Sequence, residues 1–143
     1  MEQGTTRELE KILNAVHSES DLEDYLRAPG HMAGAGSFAE YYGDLPQVQA
    51  AKRADLVQSI GIERTYCYQI LSGRKAPGRD KILALCLAAG LPLKETQRAL
   101  EIAGEAALYS RNRRDAILIY SINHHFTRMQ TDELLEQFEE HSL

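Results

Sequence analysis

Apolar residues recur at spacings of three and four along most of this chain, and no stretch shows the sustained alternation of a half-buried strand. No Asn-Gly or Asp-Gly pair offers a hairpin turn. Glycines close the apolar stretches, and Ser or Thr with Glu three residues later opens several of them. A chain patterned this way is restricted to an all-α fold. Thr5 with Glu8 predicts a first helix with the stripe Leu9, Ile12, Leu13 and Val16. Ser20 with Glu23 predicts a short second one, ending near Pro29. Residues 28–37 hold three glycines and a proline and read as a linker. They follow no strand and lack the Lys-Ser/Thr ending of a phosphate-binding loop.

Ser37 with Glu40 predicts the next helix, through Phe38, Tyr41 and Tyr42. A break is expected near Asp44, with Pro46 in the first turn of a new segment. From Lys52 the elements shorten. A helix over Lys52–Ser59 is followed by a turn in which Gly61 takes the left-handed conformation and Ile62 plugs the core. A second helix runs over Glu63–Leu71, with Tyr66, Cys67, Ile70 and Leu71 as candidate core residues, and Gly73 stops it. A basic loop, Arg74–Gly78, leads to helices over Arg79–Ala89 and from Pro92 or Leu93 to Ala103. Two more are expected near Arg111–His124 and, capped by Thr127, near Arg128–Glu139. No repeat of fixed period stands out.

The net charge of −5 conceals a strong segregation. Residues 1–51 carry three basic and nine acidic side chains, residues 52–114 twelve and six, and residues 115–143 one and six. A basic middle lies between acidic flanks. Phosphate contact depends on local charge, because fields are screened beyond about 8 Å at physiological salt. The chain has no apolar run near the roughly 20 residues that span a bilayer, and its polar, acidic start does not read as a signal peptide. Cys67 and Cys86 sit in apolar helical stretches, as reduced core thiols of a cytoplasmic protein do.

Two short helices joined by a glycine turn, then a basic loop, is the layout of a helix-turn-helix. The second helix of such a unit needs an apolar face against the scaffold and a polar face of varied reach for the major groove. Over Glu63–Leu71 that division is present. Cys67, Ile70 and Leu71 share one side, while Arg64, Thr65, Tyr68, Gln69 and Ser72 lie toward the other.

The stretch KRADLVQSIGIERTYCYQILSGRKAPGRDKILALCLAAGLPLKET resembles the phage-repressor-like (Cro/CI, Xre-type) helix-turn-helix family. Leu56 and Val57 match its helix 2, Gly61 and Ile62 its turn, Gly73 its glycine after the recognition helix, and Arg74–Pro77 its basic loop. More narrowly, RTYCYQILSGRKAPGRDKILAL with the tail LYSRNRRDAILIYSINH is similar to bacterial Xre-type regulators of uncharacterised targets. Two positions depart from the family pattern: Arg53 stands where Gln is common, and Pro46 falls within the first core helix.

The resemblance implies a five-helix lambda-repressor-like core over residues 38–104. An acidic helical arm (1–27) precedes it, and a C-terminal helical extension (105–143) follows for packing or dimerisation. It implies a transcription regulator, not an enzyme, reading double-stranded DNA as a homodimer on a pseudo-palindrome. Arg64, Thr65, Tyr68 and Gln69 would contact base edges. Arg53, Ser72, Arg74, Lys75 and Arg79 would contact phosphates. The alternative is an adaptor that keeps the scaffold without DNA and meets a protein partner through the acidic arm or the C-terminal helices.

Other clusters read plainly. Arg111-Asn112-Arg113-Arg114 either extends the DNA surface or begins a solvated helix. His124-His125 point in different directions and have no companion ligands at metal spacing. Glu133, Glu136, Glu139 and Glu140 form a solvated face. No nucleophile–base constellation and no cofactor motif is present.

Overall fold

The computed structural model describes residues 6–28, 35–61 and 63–143. Among them every regular element is helical: α1 (Thr6–Asn14), α2 (Glu19–Arg27), α3 (Ala35–Asp44), α4 (Pro46–Ala50), α5 (Arg53–Ser59), α6 (Arg64–Leu71), α7 (Arg79–Ala88), α8 (Leu93–Ile102), α9 (Arg113–Asn123) and α10 (Arg128–Gln137). No helix among them is long and apolar enough to cross a membrane.

Most helix ends follow from local chemistry. Pro46 occupies the first turn of α4, where its missing N–H costs nothing, so the chain bends after Asp44 as expected. Glu63 caps α6, and Thr127 caps α10 in a complete capping box with Gln130. Gly61, Gly73, Gly90 and Gly104 all adopt positive φ at helix exits. Two expected caps are corrected. Ser18, not Ser20, caps α2 by accepting from the Asp21 N–H at 3.1 Å. The helix α3 begins at Ala35, two residues before Ser37. Thr5 and Ile62 lie outside the described residues, as does most of the proposed linker.

One core joins α3 and α5 through α10. Phe38, Tyr42, Leu56, Ile60, Cys67, Ile70, Leu83, Leu100, Leu118 and Leu135 are all buried in it, so the C-terminal helices pack with the central ones. Among the described residues, α1 and α2 contribute none to that core cluster, although Tyr25 of α2 is buried. Their Ile12, Leu13, Leu22 and Leu26 are exposed.

The expectation of no fixed repeat is overturned by the packing. Residues 78–108 superpose in sequence on 113–143 without a gap: Arg79-Asp80 falls on Arg114-Asp115, Ile82-Leu83 on Ile117-Leu118, Thr96 on Thr131, and Leu100-Glu101 on Leu135-Glu136. The structure repeats as well. Arg79 Nε and Nη2 donate to the carbonyls of Ala106 (2.9 Å) and Ala107 (3.2 Å). Arg114 does the same to His141 (3.0 Å) and Ser142 (3.2 Å). The Leu108 N–H donates to Gln97 Oε1, and the Leu143 N–H to Asp132 Oδ1. Thr96 and Thr131, both fully buried, each return their hydroxyl hydrogen to a carbonyl four residues back.

The two hairpins, α7–α8 and α9–α10, clasp each other reciprocally. α7 packs on α10, and α8 on α9. Arg79 makes two hydrogen bonds to Asp115 at 3.0 and 2.9 Å, and Arg114 makes two to Asp80 at 3.0 and 3.1 Å. Each hairpin thus supplies the arginine for the other's carboxylate, the relation expected of a local two-fold axis. Paired guanidinium–carboxylate bonds fix orientation as well as distance.

A candidate nucleic-acid interface on α6

α5 and α6 are held by their inner faces. Leu56, Val57 and Ile60 on one side of the turn and Cys67 and Ile70 on the other are buried. Gly61 makes the turn with φ +69°. Above it lies the guanidinium of Arg128, only 2.6 Å from where a Cβ would stand on Gly61. Arg128 Nε donates to the Ser59 carbonyl at 3.4 Å, and its Nη1 to Asp132 at 2.7 Å. The C-terminal hairpin therefore touches the turn between the two helices directly.

The outer face of α6 carries the expected readers. Arg64 and Thr65 are exposed, whereas Tyr68 and Gln69 are half-buried. Arg64 lies 5.7 Å from the centre of the Tyr68 ring, whose inner edge packs against the core. Glu63 occupies the amino end of the helix: its two carboxylate oxygens accept from the Thr65 and Tyr66 N–H groups, both at 2.9 Å. Those amides hold its carboxyl below the usual range. The first turn of α6 is thus already capped by a negative charge from within the chain.

At the other end of α6 the chain folds back. The N–H groups of Arg74 (2.9 Å) and Lys75 (3.2 Å) both donate to the Gln69 carbonyl, and Gly73 turns at φ +85°. This fixes the basic loop against the end of the helix, with Pro77 buried beneath it and Arg74 and Lys75 exposed. Ser72 is exposed and donates to the Gln69 carbonyl at 3.1 Å. Arg53, at the start of α5, is exposed and borders a hollow with Leu56, Val48 and Leu71. Its positive charge pulls down on the Cys67 thiol, but burial is the larger effect and raises it.

Arg79 is placed differently from the other expected phosphate contacts. Its donors are directed at Asp115 and two carbonyls inside the hairpin clasp. Burial alone would raise the Asp115 carboxyl; the Arg79 bonds, the Tyr109 N–H and the charges of Arg79 and Arg114 outweigh it and hold the carboxyl below its ordinary value. Arg114, Arg113 and Asn112 are likewise employed within the chain. Arg114 binds Asp80, Arg113 lies 3.3 Å from Glu140 and donates to the Phe138 carbonyl, and Asn112 caps α9. This clasp escaped the residue-by-residue reading. Its signal was the twice-occurring Arg-Asp pair.

The remaining reactive groups sit in structural surroundings. His124 stacks on Tyr120 at 4.0 Å, with Nδ1 2.8 Å from the Tyr120 carbonyl oxygen. Burial pushes the Cys86 thiol up to about 12, which leaves it protonated and a poor nucleophile at neutral pH. Among the described residues no group of three or more His, Cys, Asp or Glu side chains is arranged to hold a metal ion. No family model, curated protein or solved structure matches the chain.

Proposed function

We propose that the protein is a sequence-specific regulator of transcription that binds double-stranded DNA by placing α6 in the major groove, in the manner of the phage-repressor-like family it resembles. The observation that carries this reading is the division of α6. Cys67 and Ile70 are wholly buried, while Arg64 and Thr65 face outward, with Arg53, Arg74 and Lys75 exposed around the same helix. Arginine pairs with guanine and glutamine with adenine through two hydrogen bonds, so Arg64 and Gln69 are the proposed base readers, assisted by Thr65 and Tyr68. Arg53, Ser72, Arg74 and Lys75 are the proposed phosphate contacts. Arg79 leaves that set, because its guanidinium serves the hairpin clasp. One recognition helix per chain calls for a homodimer on two half-sites about 34–36 Å apart.

Binding to duplex DNA across a salt series tests the reading. Gln69→Ala is expected to change preference at one base pair, by about 1–3 kcal/mol. Lys75→Ala is expected to weaken binding to all sequences alike and to lower the salt slope by about one ion. Should the two substitutions act equally on cognate and scrambled duplexes, the division of labour fails. Should the chain show no salt-dependent binding to any duplex, the adaptor reading replaces the regulator.

A further inference from the structure

The two hairpins share one plan, but among the described residues only one of them is covered on its outer side. On the first, α3 lies against α8 and α5 against α7. The Tyr42 hydroxyl donates to the Leu85 carbonyl at 2.8 Å, and Ile82, Leu85 and Ala99 are completely buried. The matching positions of the second hairpin are Ile117, Tyr120 and Leu134. With Phe138 they line an open groove of about 350 Å³ between α9 and α10. Tyr120 is 48% exposed and Phe138 42%. A docking site for a helix is therefore built twice in this chain and filled once.

The filled copy shows what fits. α3 presents Phe38 and Tyr42 one turn apart, with their rings stacked at 5.4 Å. Two other short helices, α1 and α2, carry large apolar side chains at one-turn spacing outside the core cluster; α2 already buries its Tyr25, whereas no described side chain of α1 is buried. In α1, Leu9, Ile12 and Leu13 follow the spacing i, i+3, i+4, and Ile12 and Leu13 are 48% and 41% exposed; the helix ends at Asn14, before Val16. Glu10 lies beside that stripe, while Arg113, paired with Glu140 yet with its side chain 67% exposed, stands beside Phe138 at the groove.

We infer that α1 of a second copy of this chain docks in the α9–α10 groove, and that two chains exchange arms in this way to form a two-fold dimer. Both halves of the contact belong to one sequence, and Ile12 and Leu13 on one side and Tyr120 and Phe138 on the other are exposed in the single chain. A two-fold pairing closes two such contacts at once and leaves none to propagate into a filament. The dimer needs no DNA, so its failure and the failure of the regulator reading are separate results.

The test is sedimentation equilibrium of the full chain, with Ile12→Glu and Tyr120→Glu made singly and then mixed. Both positions are exposed, and far-ultraviolet circular dichroism with a denaturation midpoint checks that each variant is folded. The wild type is expected to dimerise, and each single variant to dissociate with a Kd raised at least about tenfold. An equimolar mixture of the two should recover dimer, because it restores one intact contact between an unaltered α1 and an unaltered groove. In a second measurement, chains carrying Leu13→Cys mixed with chains carrying Tyr120→Cys should form a disulfide between chains. A wild type that stays monomeric to about 0.1 mM overturns the inference. So does an Ile12→Glu variant that dimerises like the wild type, which would mean that groove meets groove. Failure of the mixture to recover dimer, or of the cysteines to link, overturns it too.

Discussion

Asp115 and Asp80 occupy equivalent positions, yet their burdens differ. The Asp115 side chain is 8% exposed and accepts from Arg79 and the Tyr109 N–H; the Asp80 side chain is 42% exposed and pairs with Arg114. Removing one partner of a buried ion pair strands the other, whereas a solvated pair contributes little. Asp115→Asn is therefore expected to cost about 3 kcal/mol in urea denaturation, and Asp80→Asn less than about 1 kcal/mol. Similar costs for the two would show that burial is not what sets the value of the clasp. The pH dependence has the same origin. The Asp115 carboxyl is held below its ordinary value of 3.8, so its contribution is complete above that value and disappears as the pH falls through the lowered one. Asp115→Asn should flatten the acid limb of the stability profile.

At the scale of elements, much of the helix layout was legible because it rests on local signals. Pro46, Thr127, Gly61 and Gly73 mark boundaries through φ restrictions and caps that act within a few residues. The cap of α2 was misplaced by two residues because Ser18 and Ser20 stand in the same acidic run, and only the hydrogen bond to Asp21 separates them. The outward positions of Arg64 and Thr65 were readable from helical spacing. The inward commitment of Arg79 was not, since it depends on a carboxylate 36 residues away.

The duplication was hidden by its stops. Gly90 and Gly104 end the first pair of helices in the left-handed region, but their counterparts are His125 at φ 54° and Glu139 at φ 61°. A side chain in that region costs about 1–2 kcal/mol. His125→Gly and Glu139→Gly, both at exposed positions, are each expected to stabilise the fold by roughly 1 kcal/mol. A differential scanning measurement with no rise in Tm for either variant would show that the surrounding contacts already offset the strain.

For the whole molecule, the clasp makes the central helices and the C-terminal hairpin one cooperative unit. The last residues belong to it: the carbonyls of His141 and Ser142 receive Arg114, and the Leu143 N–H binds Asp132. Deleting residues 141–143 is expected to lower the stability of the entire helical core in a single transition, as seen by hydrogen exchange at both Leu83 and Leu118. Loss of protection confined to α9 and α10 would instead mean two independent units.

Arg128 stands between that hairpin and the turn at Gly61, with one nitrogen on Ser59 and another on Asp132. Any tilt of α10 must drag this guanidinium across the hinge of the two helices below it. A molecule settling against Tyr120 and Phe138 would thus pull, at a distance, on the angle at which Arg64 and Gln69 are offered outward.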